Sequence, residues 1–310
     1  MKALVISGGG SKGAFAGGIA EYLIKEKERQ YDIFVGSSTG SLLIPLLSIE
    51  EIEKVKKIYT SVSQKDIFSI CPLNIKKRKG GYKTSINLFG VFCCMVLKKK
   101  KSFGDSGQLR KLIGNSITKE DFEKMKASSK DVVVCVANIT HKKLEYKSIH
   151  ECGYEDFCDW MWLSANLVPF MSLVKKDGYE YGDGGIGNLI PIQEAIDRGA
   201  DEADVIILRP NEIITKNEFV QNGLDLTLKV FDFMLHQIGV NDITIGELKS
   251  RNKGVTINFY YAPRMLNENP LIFEPEQMAS LWQEGFDCAK ESNPVCCIIN
   301  SGKDTKETVC

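Results

Sequence analysis

The sequence predicts an α/β fold around a central, mostly parallel sheet, and three observations point there. Short apolar runs alternate with glycine-rich turns and amphipathic stretches from the first residue onward. The opening forty residues read as strand, loop, helix, strand, turn, helix, which is a βαβ unit with a right-handed crossover. The chain is 310 residues long, 43% hydrophobic and 26% charged, enough to bury one large core. A single domain over residues 3–292 is expected, followed by a flexible tail over 293–310 where periodicity is lost.

Each element has its own signal. Lys2–Ser7 is a short apolar run stopped by Gly8, and Ala14–Lys27 places Phe15, Ile19, Tyr22 and Leu23 on one helical face. Tyr31–Val35 is the second strand, with a helix starting at Ser41. Asp131–Asn138 is a buried strand, and Lys143–Ile149 alternates like a half-buried one. Glu151–Leu163 reads as a helix, Tyr179–Gly182 as a short strand, and Pro191–Arg198 as a helix opened by proline. Val205–Leu208 is a further buried run, and Phe219–Gln237 and Pro275–Glu291 are amphipathic helices.

Composition excludes several classes. Forty basic residues balance forty acidic ones, so nothing in the total attracts nucleic acid. The longest apolar run, about twelve residues, is short of the ~20 that cross a bilayer, and no signal peptide opens the chain. A cytoplasmic protein is expected, peripheral to membrane at most. Ten cysteines without framework spacing read as reduced thiols, and no C-x-x-C pair joins the three histidines into a zinc site. No metal or cofactor is expected.

Residues 67–104 depart from the average, with nine basic residues and no acidic one. The clusters at Lys76–Lys79 and Lys98–Lys101 flank Ile86–Leu97, an apolar run containing Leu88, Phe89, Phe92 and Val96. Such a segment suits contact with an anionic lipid surface, as a lid or interface element. The competing reading is a core helix with solvated ends.

Three motifs carry chemistry. Gly36-Ser37-Ser38-Thr39-Gly40 matches G-x-S-x-G between an apolar strand and a helix, the setting in which a serine hydroxyl is exposed on a sharp turn. Gly8-Gly9-Gly10-Ser11-Lys12-Gly13 formally matches a dinucleotide fingerprint, but no acid ends the second strand to hold a ribose. A phosphate-binding P-loop fails too, because Lys12 precedes Gly13. What remains is a loop of backbone N–H groups at a helix N-terminus, suited to an anion such as the oxyanion of an attacked ester. In a parallel pair the two strand ends share one sheet edge, so the glycine loop and Ser38 converge. The third motif is Asp183-Gly184-Gly185. Its aspartate, removed from water, could accept the serine proton directly, although an Asp-Gly turn is the plainer use of that dipeptide. The order Ser38, Asp183, His236 nominally allows a triad, yet His236 lies on a helix that reads as buried, where a histidine is usually structural.

In this order and spacing the three motifs resemble the patatin-like phospholipases, over roughly residues 3–196. The resemblance implies a three-layer α/β/α sandwich and a Ser–Asp dyad without histidine. Ser38 is then the nucleophile and Asp183 the base, with Gly36, Gly40, Gly184 and Gly185 shaping the turns. The oxyanion hole falls in Gly8, Gly9, Gly10, Ser11, Lys12 and Gly13, with Gly9, Gly10 and Ser11 as donors. The implied substrate is a phospholipid or another fatty-acyl ester, and no metal serves the chemistry. A catalytically weak lipid-binding module, or an esterase or thioesterase on other acyl substrates, is the alternative. One departure concerns Ser164–Phe170, which ends Pro169-Phe170 where the family usually has Phe-Pro, leaving the acyl-pocket wall open to question. Beyond residue 196 no motif is legible.

Overall fold

The computed structural model of the chain describes residues 1–78, 81–211, 219–220, 223–266, 269–291 and 295–297. Its opening is the expected βαβ unit: β1 (Lys2–Ile6), α1 (Gly13–Glu21) and β2 (Ile33–Ser37), with the strands parallel. Four helical or hairpin elements follow the elbow: α2 (Thr39–Ser48), α3 (Ile52–Ser61), α4 (Gln64–Ile67) and the hairpin β3 (Leu73–Arg78) to β4 (Gly81–Ile86). Then come α5 (Leu88–Phe92), α6 (Gly107–Ser116), α7 (Lys119–Ala127), β5 (Asp131–Asn138) and β6 (Lys143–Ser148). The second half holds α8 (Tyr154–Ser164), β7 (Val174–Lys176), β8 (Tyr179–Asp183), α9 (Ile192–Asp197) and β9 (Glu202–Ile207). It closes with α10 (Gly223–Lys253), β10 (Thr256–Tyr261), α11 (Pro275–Glu291) and β11 (Val295–Cys297).

Among the described residues the main sheet has nine strands, in the order β11-β10-β9-β1-β2-β5-β8-β7, with β6 also on β5. From β10 to β5 every pairing is parallel. Side chains alternate across it, as pleating requires. Ala3, Val5, Ile33, Val35 and Val133 face a core shared with Ile192, Ala195 and Ile196 of α9. Leu4, Ile6, Phe34, Val132 and Val134 face the other, where α1, α2, α3, α8 and α11 contribute Phe15, Leu43, Val55, Phe157 and Trp282. The layers are therefore helix, sheet, helix, as the resemblance implies.

β5 acts as a splint for the site. β6 occupies one of its edges along Val133–Asn138. The other edge is shared end to end: β2 stops with Ser37 opposite Cys135, and β8 arrives from the opposite direction with Asp183 opposite Val136. Backbone pairing alone thus brings the residue after Ser37 to the end of β8.

Three expectations need correction. The helix predicted over Phe219–Gln237 runs from Gly223 to Lys253, and its first half is not buried: Leu226, Val230, Phe233 and Met234 are all exposed. The apolar run Ile86–Leu97 is not a core helix either. Leu88 and Phe89 are 75% and 77% exposed, while only Gly90 and Cys94 are buried along it. Asn87 caps this short helix by accepting from Gly90 N at 2.9 Å, and its side-chain amide donates to Cys71 O at 3.0 Å. Finally, Val295–Cys297 of the predicted tail pair antiparallel with β10. The rest of 293–310 lies outside the described residues, as does Lys79 of the basic segment.

Candidate active site

Ser38 sits between β2 and α2 with φ 52° and ψ −123°, a strained backbone for a residue with a Cβ. The glycines around it make the turn possible. A Cβ on Gly36 would lie 2.5 Å from the Gly40 backbone, and one on Gly40 would collide with the carbonyl of Ile6. The Ser38 N–H donates to Ser164 Oγ at 3.1 Å, which holds the turn from α8. Its own hydroxyl donates to Asp183 Oδ2 at 2.6 Å.

Asp183 is buried at the end of β8. Burial pushes its pKa up to about 7, against hydrogen bonds from Ser38 and from Gly185 N that favour the anion. The Gly185 bond to Oδ1 is 2.7 Å, leaving Oδ2 to the serine. The Asp183 N–H donates to Asn166 O at 2.9 Å, so this residue is fixed at its backbone too. Gly184 packs against the Cys135 carbonyl, where a side chain would not fit.

Most N–H groups of the glycine loop are already engaged. Gly8 N donates to Leu189 O at 2.9 Å, Ser11 N to Pro270 O at 2.9 Å and Lys12 N to Gly9 O at 3.2 Å. The Gly13 N–H caps the turn before it, on Gly10 O and Ser11 O. Ser11, expected as a donor, is therefore engaged. Among the described residues only the Gly9 and Gly10 N–H groups of this loop find no acceptor. Gly10 has φ 58°, and a Cβ there would strike the Pro270 carbonyl, so glycine is required on both counts.

Gly8, Gly9, Gly10, Ser38 and Asp183 line one cleft, partly open to solvent. The rest of its wall is largely aliphatic, with Leu42 and Leu46 of α2, Val55 and Ile58 of α3, and Leu109 and Ile113 of α6. Of the Ser164–Phe170 stretch, Ala165 and Leu167 line the cleft. Pro169 and Phe170 do not; the Phe170 ring instead packs edge-on between Phe103 and Phe231. The inverted Pro-Phe pair therefore lies outside the lining of the cleft.

None of the three histidines lines the cleft. His236 is half-buried on α10, with its pKa lowered by burial and then by Arg209, and it makes no hydrogen bond to Ser38 or Asp183. His141 stacks on Tyr179, and His150 Nε2 meets Lys130 O at 3.1 Å. No group of three or more histidine, cysteine or acidic side chains among the described residues could hold a metal ion.

Sequence reading missed the residues that brace these groups. Asp242 of α10 is buried and accepts from Leu189 N and Ile190 N, at 2.7 and 2.9 Å, through one oxygen. Burial pushes its pKa up to about 6. The segment it holds is the one that accepts from Gly8 N and, through Asn188 O, from Ser37 Oγ at 2.7 Å. Asp242 thus ties the glycine loop, the elbow and the Asp183 turn together. It lies beyond the predicted end of its helix, and no spacing pointed to it.

This fold, with a serine elbow and a glycine loop at one sheet edge, defines a class for which a sequence profile exists. The profile of the patatin-like phospholipases matches residues 4–196, and the chain belongs to that family. A probable lipid hydrolase, 463L of Invertebrate iridescent virus 6, is 31% identical over 197 residues, which are 63% of this chain and 63% of that protein. The match thus spans less than two thirds of the viral relative. The crystal structure of VipD from Legionella pneumophila superposes over 94% of this chain and 66% of VipD, with 14% identity and a TM-score of 0.49.

Proposed function

We propose that this chain is a serine acyl hydrolase that cleaves fatty-acyl esters of lipids, glycerophospholipids first among them, through an acyl-enzyme on Ser38. The observation that carries the reading is the 2.6 Å contact of Ser38 Oγ with a buried Asp183, in a cleft with aliphatic walls and no histidine. Asp183 takes the Ser38 proton as Oγ attacks the ester carbonyl. The tetrahedral oxyanion is received by the N–H groups of Gly9 and Gly10, and one such donor contributes a factor of about 10²–10³ in known cases. Collapse expels the alcohol, which takes the proton back from Asp183. A water deprotonated by the same carboxylate then attacks the acyl-enzyme, releasing the fatty acid and restoring Ser38.

Residues 3–292 work as one unit in this reading, because the cleft draws on the glycine loop after β1, on α6 and on α10 alike. The exposed Leu88, Phe89, Val96 and Leu97, next to Lys98–Lys101 and the basic hairpin, support peripheral contact with an anionic membrane. No helix among the described residues is long and apolar enough to cross one.

The test is to incubate the protein with mixed phospholipid vesicles and identify products by mass spectrometry. Free fatty acid and lysolipid are expected from the native chain, with neither from Ser38→Ala nor Asp183→Asn. Product retained in Ser38→Ala would overturn the assignment. Absence of product together with no labelling of Ser38 by a fluorophosphonate would favour a lipid-binding module instead.

A further inference from the structure

The glycine loop rests against a segment far away in the chain. Asn269–Phe273 joins β10 to α11 and belongs to no helix or strand. It folds on itself, with Leu271 N donating to Asn269 Oδ1 at 2.9 Å and Ile272 N to Asn269 O at 3.3 Å. The Pro270 carbonyl at its turn accepts from Ser11 N at 2.9 Å, and it lies so close to Gly10 that a Cβ there would strike it. This strap therefore sets the place of a residue whose N–H is one of the two without an acceptor.

One side chain holds the strap in turn. Gln64, the first residue of α4, donates from Nε2 to Leu271 O at 3.0 Å and accepts at Oε1 from Phe273 N at 3.0 Å. Among the described residues, the strap's hydrogen bonds to the rest of the chain run to Ser11 and Gln64 alone. A carboxamide offers a donor and an acceptor side by side, so it meets these two backbone groups as a neighbouring strand would. Turning the amide over would set donor against donor and acceptor against acceptor, which fixes its orientation. Gln64 itself is not among the residues lining the cleft.

We propose that Gln64 is a positioning residue for the oxyanion hole. It clamps Leu271 and Phe273, the strap so held seats Pro270 against Gly10 and Ser11, and the N–H groups of Gly9 and Gly10 are thereby aimed at the developing oxyanion. This rests on the hydrolase reading and adds a residue that touches neither substrate nor reacting atoms. Misaimed donors weaken an interaction made only in the transition state, so kcat falls while ground-state binding stays.

The test uses a soluble short-chain nitrophenyl ester, a trifluoromethyl ketone of the same chain and the matching secondary alcohol. In the ketone adduct Ser38 Oγ bonds to the carbonyl carbon, its proton passes to Asp183 and the carbonyl π electrons move onto oxygen. The ketone Ki therefore reads the oxyanion hole, whereas the alcohol forms no bond to Ser38 and reads ground-state binding. Gln64→Met keeps the length of the side chain and removes both hydrogen bonds. It should lower kcat about tenfold or more and raise the ketone Ki by a similar factor. KM and the alcohol Ki should change by less than about twofold. Gln64→Glu, which can still accept from Phe273 N, should retain more kcat than Gln64→Met. Cys71→Ala removes the third contact of the amide, from Nε2 to Cys71 Sγ at 3.4 Å, and should stay near native.

A native kcat in Gln64→Met overturns the proposal, as does a loss of kcat that the ketone Ki does not follow. Equal losses in Cys71→Ala and Gln64→Met would trace the effect to the other neighbour of Gln64 and overturn it too. A matching rise in KM and in the alcohol Ki would mean that the strap only shapes the wall, where Leu271 and Phe273 lie, and would overturn the role in the oxyanion hole. If Gln64→Met does not fold, Gln64→Glu is read by the same measures. If the native chain neither cleaves the ester nor binds the ketone, the hydrolase reading falls and this inference falls with it.

Discussion

Two parts of the chain meet at the cleft, and they contribute different things. Residues 4–196, which match the family, supply the groups that the proposed reaction uses: Ser38, Asp183 and the N–H groups of Gly9 and Gly10, which find no acceptor among the described residues. The part from β9 to α10 supplies Arg209, Asp232 and Asp242, which touch no reacting atom. The contrast is clearest in the two buried carboxylates. Asp183 spends one oxygen on a backbone N–H and leaves the other to a serine. Asp242 spends a single oxygen on two backbone N–H groups and faces no nucleophile. Burial raises both pKa values, so a raised pKa alone does not distinguish a base from a brace; the partner does.

Substitution should separate the two parts by size of effect. Ser38→Ala should remove activity by a factor on the order of 10⁴ or more with the fold intact, measured as turnover on vesicles and melting temperature. Asp242→Ala leaves two buried N–H groups without an acceptor and loosens the segment behind Gly8 and Ser37. We expect kcat to fall about 10–100-fold with KM little changed. Asp242→Asn should stay near native, because one amide oxygen can accept both bonds. A kcat loss in Asp242→Asn equal to that in Asp242→Ala would mean the charge matters, and the carboxylate would belong with the reacting groups.

The same division explains what was legible in the sequence. The elbow, the glycine loop and Asp183-Gly184-Gly185 are local patterns, because each needs particular residue types at fixed spacing to make a strained or close-packed turn. Their convergence could be argued from parallel pairing, though the way β8 meets β2 end to end along β5 could not. Which N–H groups of the loop remain free was hidden as well, since it depends on Leu189 and Pro270, far away in the chain. Asp242 acts on Leu189 and Ile190 from some fifty residues away and carries no local signature. The helix predicted to end at Gln237 runs on to Lys253, and amphipathicity cannot register a helix whose exposed side is itself apolar.

A smaller effect tests whether Asp183 is held against its own preference. Its pKa is about 7 in the fold and about 3.9 in an unfolded chain, so the native state binds more protons between those values. Stability associated with this group is present below about pH 4 and is lost as pH rises through about 7. At pH 8 the buried anion costs up to about 4 kcal/mol, less whatever relaxation recovers. Asp183→Asn should therefore raise the melting temperature at pH 8 by several degrees and change it little at pH 4, while abolishing turnover. Native kcat/KM should rise with pH through about 7 as the base ionises. A variant whose gain over the native chain is no larger at pH 8 than at pH 4 would mean that the carboxylate is not under this strain.

The smallest effect belongs to residues 67–104, which lie inside the matched part yet carry none of its motifs. Their exposed apolar side chains are next to lysines, some already engaged: Lys77 meets Glu276 at 3.3 Å, Lys100 meets Asp105 at 3.5 Å and Lys101 meets Glu180 at 2.6 Å. These exposed pairs are weak and leave most of the positive charge uncompensated. Each lysine near an anionic bilayer contributes about 1 kcal/mol, and salt screens it within a Debye length. Replacing Lys98–Lys101 by glutamine should weaken sedimentation with anionic vesicles by about ten-fold or more at low salt, and much less at high salt. Leu88→Ser with Phe89→Ser should weaken it at both, because apolar insertion is not screened. Hydrolysis of a short-chain ester in solution should be untouched by either set. If it falls along with vesicle binding, the segment shapes the cleft rather than the membrane contact, and it then belongs with the braces rather than the surface.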